Sequence, residues 1–275
     1  MSTPSRVMVL YREKLLDPGE LDALRAVASK DPDRVMLSSS RIDVRPGDLV
    51  VARHAAWPWP MELDRDIQRL GGRILNPARA YHYANSPMEW GYDLGDLTPQ
   101  TWDRFESLPM GCAFILKGEK ADKRRWARMY ADDRQAAIAL RGELQADLAF
   151  ADQTIVARQY VPLVRLGQNI GGVPISLEYR VFVLDGQELT RAFYWPIDDC
   201  VAPPPPPTTI PDDFLREAVR RIGDRIRFYA LDVAQDIDGR WWVIELNDGQ
   251  RSGLSENSPF ALWKGLIERL KAGIV

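Results

Sequence analysis

The chain has 275 residues, 45% of them apolar and 27% charged, with a formal net charge of −3. That make-up excludes a disordered chain and suits one large or two moderate globular domains. The small negative charge excludes bulk attraction to nucleic acid or anionic membrane, so any anion site must be local.

The opening segment MSTPSRVMVLYREK reaches charged residues too soon to read as a signal peptide, and no stretch approaches a ~20-residue apolar span. A cytoplasmic protein is expected. Residues 7–11 (VMVLY) and 48–53 (DLVVAR) read as buried strands, with a helix between them from Glu20 to Ser29. A second helix over 61–70 is stopped by Gly71–Gly72 and followed by a strand at 73–76. Alternating strands and helices indicate an α/β unit. Residues 81–102, polar and rich in aromatics, read as a connection. CAFILK (112–117) is a strand, followed by the basic segment GEKADKRRWARM, a helix near 134–148 and a strand at 154–163. Pro203–Pro207 must be extended, and a helix follows at about 211–226. The two cysteines, Cys112 and Cys200, form no zinc or redox motif and are expected as buried thiols.

Two segments carry Asp-Gly between β-rich runs, the signal of a hairpin. If Asp238–Gly239 form a two-residue turn, Asp232 lies opposite Glu245, and Asn247 shares their face. Opposed carboxylates repel, and a cation between them removes the conflict. Three oxygen-bearing side chains suit Mg²⁺. Ala230 and Ala234 would leave room there for a ligand, while Leu231, Val233, Ile244 and Leu246 form the core face. The alternative is a pair of solvated carboxylates, since a longer turn would slide the register.

If Asp185–Gly186 form the other turn, Arg180 faces Arg191. Two facing guanidinium groups fit phosphate or carboxylate oxygens, although Glu178 on the same face can neutralise one of them. Lys117 ends an apolar strand and is either a phosphate ligand or an ordinary strand-terminal lysine. The basic segment after it is either a lid over phosphates or a solvated turn. Arg158–Val161 leave a strand before Pro162, where backbone groups can meet an adenine. His54 and His82, the only histidines, are expected in structural hydrogen bonds.

In this order, FILKG, ARQYVPL, EYRVFV, YALDVA and VIELNDG resemble the motifs of the ATP-grasp superfamily. VVARHAAWPWPMELD, YHYANSPMEWGYDLGDLTPQTW and ELNDGQRSGL are similar to its branch labelled by two arginines and a lysine. The resemblance implies an α+β, ATP-grasp fold over 110–275, with subdomains of about 110–163 and 164–275, behind an α/β pre-ATP-grasp domain at 1–109. It implies ATP with one or two Mg²⁺ ions: Lys117 at the α/β-phosphates, Gln159, Tyr160 and Val161 at the adenine, and Asp232, Glu245 and Asn247 on the metal. Arg180 would meet the γ-phosphate or the reacting carboxylate, and Arg191 and Arg251 the acyl phosphate or an acidic substrate. Two departures stand out: Arg158–Gln159 where many members carry an acidic residue, and a charged rather than Gly/Ser-rich segment after Lys117. The implied activity is carboxylate–amine ligation through an acyl phosphate, on a small-molecule or peptide substrate. A kinase of the same fold and an inactive nucleotide- or peptide-binding module are the alternatives.

Overall fold

The computed structural model describes residues 6–54, 59–118, 129–148, 150, 153–169, 172–200 and 203–273. The expected lid segment falls almost wholly on 119–128, outside the described residues, as does 55–58 of the VVARHAAWPWPMELD run.

The N-terminal part is a parallel sheet of β1 (Val7–Tyr11), β2 (Val35–Ser38), β3 (Leu49–Arg53) and β4 (Arg73–Ile74), in the order β2-β1-β3-β4. Helices α1 (Glu20–Ala28) and α2 (Pro60–Arg69) join them. The near-continuous apolar runs of β1 and β3 are what strands covered on both faces require. Strand order reverses between β1 and β3, the topological switch point of this sheet.

The segment expected as a connection holds two helices, α3 (Ala78–Asn85) and α4 (Pro87–Leu94). Ser86 caps α4, its hydroxyl accepting from Glu89 N, with Pro87 in the first turn. That S-P-x-E start signal was present in the sequence. Gly91 and the aromatic content concealed a helix whose Trp90 and Leu94 are fully buried.

A small antiparallel sheet follows, in the order β5-β8-β6-β7: β5 (Thr101–Trp102), β6 (Phe114–Lys117), β7 (Tyr130–Ala131) and β8 (Val156–Gln159). Helix α5 (Arg134–Ala146) starts at Asp133, whose carboxylate accepts from Ala136 N. Its Ala137 and Leu144 share one core with Phe105, Leu108, Phe114 and Leu116. This unit therefore draws β5, Phe105 and Leu108 from upstream of residue 110. The two-stranded sheet of β9 (Arg165–Gln168) and β10 (Pro174–Ser176), not read from the sequence, comes next.

The large antiparallel sheet has the order β12-β11-β13-β14: β11 (Glu178–Leu184), β12 (Gln187–Phe193), β13 (Phe228–Gln235) and β14 (Trp241–Asp248). Side chains alternate between its faces. Tyr179, Val181, Tyr229, Leu231 and Val233 pack on α4 and on α6 (Asp212–Ile222). Phe182, Leu184, Phe228 and Ala230 pack on the other side, with Val7, Val9 and Val51 of the parallel sheet and Trp263 of α7 (Pro259–Ala272). Alanine at 230 is thus a core residue beneath the parallel sheet, and Ala234 is also fully buried; neither leaves ligand space.

A buried polar network fixes the loop after β14 against the end of β3. Arg53 donates to both oxygens of Glu20 and to the carbonyls of Gln250 and Ser252. Trp263 Nε1 also donates to Glu20. Asp248 accepts from Asn76 and from Gln250 N, while Gln250 accepts from Ala52 N. The following Gly249 is required, because a Cβ there would sit 2.9–3.0 Å from Phe228. Burial pushes the Asp248 carboxyl above its ordinary range, against hydrogen bonds from Asn76 and Gln250. No disulfide joins Cys112 and Cys200, and both are half-buried rather than buried. Among the described residues, no helix is long and apolar enough to cross a membrane.

Candidate active site

The small and large sheets face each other across a largely apolar cleft. Ile115 and Lys117 of β6, Arg158 and Gln159 of β8, and Tyr160 and Val161 beyond it form one wall. Glu178, Trp195 and Ile244 belong to the other. The peptide N–H groups of Gln159 and Tyr160 are committed to Gln100 O and Ala113 O, which fixes the hinge where β8 leaves the sheet.

At one end of this cleft, charges of opposite sign meet. Arg180 of β11 lies opposite Asp232 of β13, and Asp232 opposite Glu245 of β14. Arg180 Nε and Nη2 donate to the two Asp232 oxygens at 2.7 and 2.8 Å, and Nη1 to Gly253 O at 2.7 Å. Its guanidinium also stacks on Tyr194 at 4.8 Å. Burial works against the Arg180 charge, but the Asp232 carboxylate outweighs it and holds the pKa above the ordinary value. Lys117 Nζ donates to Glu245 Oε1 at 3.1 Å across the cleft. Asn247 Nδ2 donates to Asp232 Oδ2 at 3.3 Å, which turns its amide oxygen to the opposite side.

Both hairpins depart from their expected registers, in opposite ways. In the second, Asp236 and Arg240 close a three-residue loop with Gly239 at φ 86°, where a two-residue turn was expected. The longer loop slides the register by one, so Val233 faces Val243. A bulge at Ile244 then slides it back, and Asp232 faces Glu245 as expected. The bulge also takes Ile244 out of the core face and makes it a wall of the cleft. In the first hairpin the two-residue turn is present, with Asp185 at φ 48° and Gly186 at φ 74°. A bulge at Leu189 shifts the pairing, so Arg180 faces Ala192 rather than Arg191. Arg191 instead pairs with Glu188 at 2.7 Å and Asp212 at 3.0 Å, beside α6 and away from the cleft. The expected arginine pair is not formed.

Arg251 lies in the loop fixed by Arg53, with its guanidinium 4.5 Å from the Tyr81 ring and beside His54, apart from the carboxylate pair. Arg158, the departure noted in the sequence, is fully buried. It donates to Ile244 O and Thr98 Oγ1 and stacks on Trp90 at 4.9 Å. Burial pushes its pKa down to about 10. It ties β8, the hinge strand, to the bulged strand β14, a role that a lone arginine in a strand does not announce.

The donor set can be tested against a divalent cation. Among the described residues no group of three or more His, Cys, Asp or Glu comes together. Two carboxylates and one amide oxygen, adjoining a cleft with a lysine and an arginine, fit Mg²⁺, which usually takes one or two carboxylates with phosphate and water oxygens. Glu245 and Asn247 are half-buried beside the cleft, whereas Asp232 is fully buried and clamped by Arg180.

A family model matches residues 101–266: the ATP-grasp domain, family 3 of the clade labelled by two arginines and a lysine. The chain belongs to that family. The ATP-grasp fold is also that of solved structures at low sequence identity. The D-alanine–D-alanine ligase of Bacillus anthracis, complexed with ATP, aligns with a TM-score of 0.61 at 12% identity over 98% of each chain. The ATP-grasp ligase PsnB, complexed with precursor peptide PsnA2 and AMPPNP, aligns at 0.58 and 12% over 100% of this chain and 99% of its own. The D-cycloserine synthetase DcsG aligns at 0.59 and 14%, over 96% and 99%. No curated protein sequence matches the chain. The family match begins at β5, where the core of the small sheet also begins.

Proposed function

We propose that the protein is an Mg-ATP-dependent ligase that joins a carboxylate to an amine through an acyl phosphate. The observation that carries this reading is the crossed pairing of Lys117 with Glu245 and Arg180 with Asp232 at one end of an apolar cleft between two sheets. Cation and anion partners from different elements occupy one place, ready to exchange for phosphate and metal. The ligases among the structural relatives support the reading by analogy of fold.

In this reading the adenine lies in the apolar cleft against Gln159, Tyr160, Val161 and Ile244. Lys117 meets the α/β-phosphates as a point charge. Glu245 and Asn247 hold Mg²⁺ directly, with Asp232 beside them; the ion would supply charge neutralisation at the phosphates. Arg180 has committed three of its five N–H donors, and the remaining two serve the γ-phosphate or the reacting carboxylate. We place the ATP-grasp unit from about residue 101 onward, with the parallel sheet in front of it. Such a site works by positioning and electrostatics and needs no protein nucleophile.

The test is incubation with Mg-ATP and pooled amino acids, dicarboxylic acids and peptides, read by mass spectrometry. ADP, phosphate and a condensed product are expected. AMP and pyrophosphate would sink the acyl-phosphate route, and a stable phosphorylated product would make the protein a kinase.

A further inference from the structure

The turn that leads into α1 reaches across to the candidate active site. Glu20 N donates to Asp17 O at 3.1 Å, and Gly19 takes φ 75° and ψ −7°. With Pro18 before that glycine, Asp17–Glu20 fits a type II turn, which needs a left-handed residue at its third position. Asp17 N donates back to Glu20 Oε2 at 3.2 Å. Glu20 is itself fully buried and gripped by Arg53 and Trp263. The backbone of Asp17 is therefore anchored at both its N–H and its carbonyl.

Its carboxylate meets the loop after β14. Asp17 Oδ2 accepts from Leu254 N at 2.6 Å, and the carbonyl of the same peptide unit, Gly253 O, accepts from Arg180 Nη1 at 2.7 Å. A trans peptide is planar, with its N–H and C=O pointing in opposite directions. One rigid plane thus links Asp17 at one end to Arg180 at the other. A Cβ built on Gly253 would lie 3.7 Å from Asp17 Oδ2 and 3.8 Å from Arg180 Nη1, which places that plane between the two charges. Hydrogen bonds in a chain polarise one another, so the pull of the carboxylate on Leu254 N–H makes Gly253 O a stronger acceptor. Among the described residues the nearest cation to Asp17 is Arg53, at 3.9 Å. That is beyond hydrogen-bond reach, and Leu254 N–H is the closer hold on this carboxylate.

Arg180 is otherwise held along one edge. Its Nε and Nη2 grip Asp232, and the Tyr194 ring lies 4.8 Å from the guanidinium. The bond from Nη1 to Gly253 O pins the far end of the fork. Together these three bonds aim the two remaining N–H donors, one on each Nη.

We propose that Asp17 is a positioning residue for Arg180, acting through the Gly253–Leu254 peptide to aim the donors that meet the γ-phosphate or the reacting carboxylate. The inference rests on the ligase reading and adds to it a residue of the N-terminal part. Without the Asp17 carboxylate the peptide plane is free to turn. Arg180 keeps its grip on Asp232, so its charge stays in place and Mg-ATP still binds. What changes is the direction of its donors, and a misplacement of about 1 Å costs roughly 100-fold in rate. Asparagine at this position presents an amide oxygen to Leu254 N–H and keeps the plane fixed.

The test compares the wild type with Asp17→Ala and Asp17→Asn. Each is incubated with Mg-ATP and pooled amino acids, dicarboxylic acids and peptides, and ADP and condensed product are followed over a range of ATP concentrations. The Nε–H resonance of Arg180, assigned by its absence in Arg180→Lys, is recorded for each protein by NMR. Asp17→Ala is expected to lose about 100-fold in kcat, with KM for ATP within about twofold, and to shift the Arg180 resonance. Asp17→Asn is expected to restore the resonance and to bring kcat within about threefold of the wild type. Wild-type kcat or an unmoved resonance in Asp17→Ala overturns the proposal. So does an Asp17→Asn protein as impaired as Asp17→Ala, since the charge rather than the hydrogen bond would then matter. A loss in Asp17→Ala that only follows the unfolded fraction, read by circular dichroism, overturns it as well. If the wild type forms no product, the ligase reading fails, and the Arg180 resonance still decides whether Asp17 orients Arg180.

Discussion

Arg180 and Asp232 are both almost wholly buried, and each is the other's main neutralising partner. Removing one member of such a pair strands a charge without solvent, which costs about 3–5 kcal/mol. Asp232→Ala is therefore expected to lower unfolding free energy by that amount in urea titration. Glu245, half-buried beside the cleft, is different: Glu245→Ala is expected to fold normally and lose turnover. His54 gives the clearest pH signature. Its folded pKa lies below the unfolded value of 6.5, so between the two the unfolded chain binds the extra proton. Stability is then full above pH 6.5 and falls as pH is lowered through that window. In His54→Asn that part of the slope is expected to vanish from denaturation midpoints measured at a series of pH values. An identical slope would mean that His54 titrates normally.

The hairpins show what the sequence could and could not carry at the scale of an element. Asp-Gly marks both turns, and alternation marks which residues share a face. Neither reports a bulge, because a bulge is one extra residue whose placement depends on the neighbouring strands. The Asp232–Glu245 pairing was legible although its expected turn was wrong, since loop and bulge each contribute one residue of slip and cancel. The Arg180–Arg191 pairing failed although its turn was right, since one bulge stands uncompensated. Arg191→Ala is accordingly expected to leave turnover unchanged and to cost less than ~1 kcal/mol, as partly exposed ion pairs do; Arg180→Ala should abolish turnover. Loss of activity in both would restore Arg191 to the site. Ile244, moved by its bulge into the cleft wall, gives a further test. Ile244→Ala should weaken ATP binding by up to roughly fifty-fold, for three side-chain carbons lost at ~0.8 kcal/mol each, as read by calorimetry.

At the scale of the whole molecule, the parallel sheet and the large sheet are joined by a shared core and by the Arg53–Glu20 network. Apolar periodicity announces the first; the second joins residues far apart in sequence, and only the folded chain brings them together. The α3–α4 pair was missed for a related reason: its aromatic residues serve a core contributed by other elements. Arg53→Ala is expected to destabilise by about 3–5 kcal/mol and to loosen the loop at 249–253, seen as faster amide exchange there. The central claim is that Lys117, Asp232, Glu245 and Asn247 hold Mg-ATP together. Thermal unfolding with ATP, with and without Mg²⁺, tests it most directly. Ligand at about a hundred times its Kd stabilises by ~2.7 kcal/mol, or roughly 5–10 °C for a chain of this size. The wild type should show that rise only with Mg²⁺ present, and Glu245→Ala should lose it. A Glu245→Ala protein that gains the same Mg-dependent stabilisation would contradict the assignment.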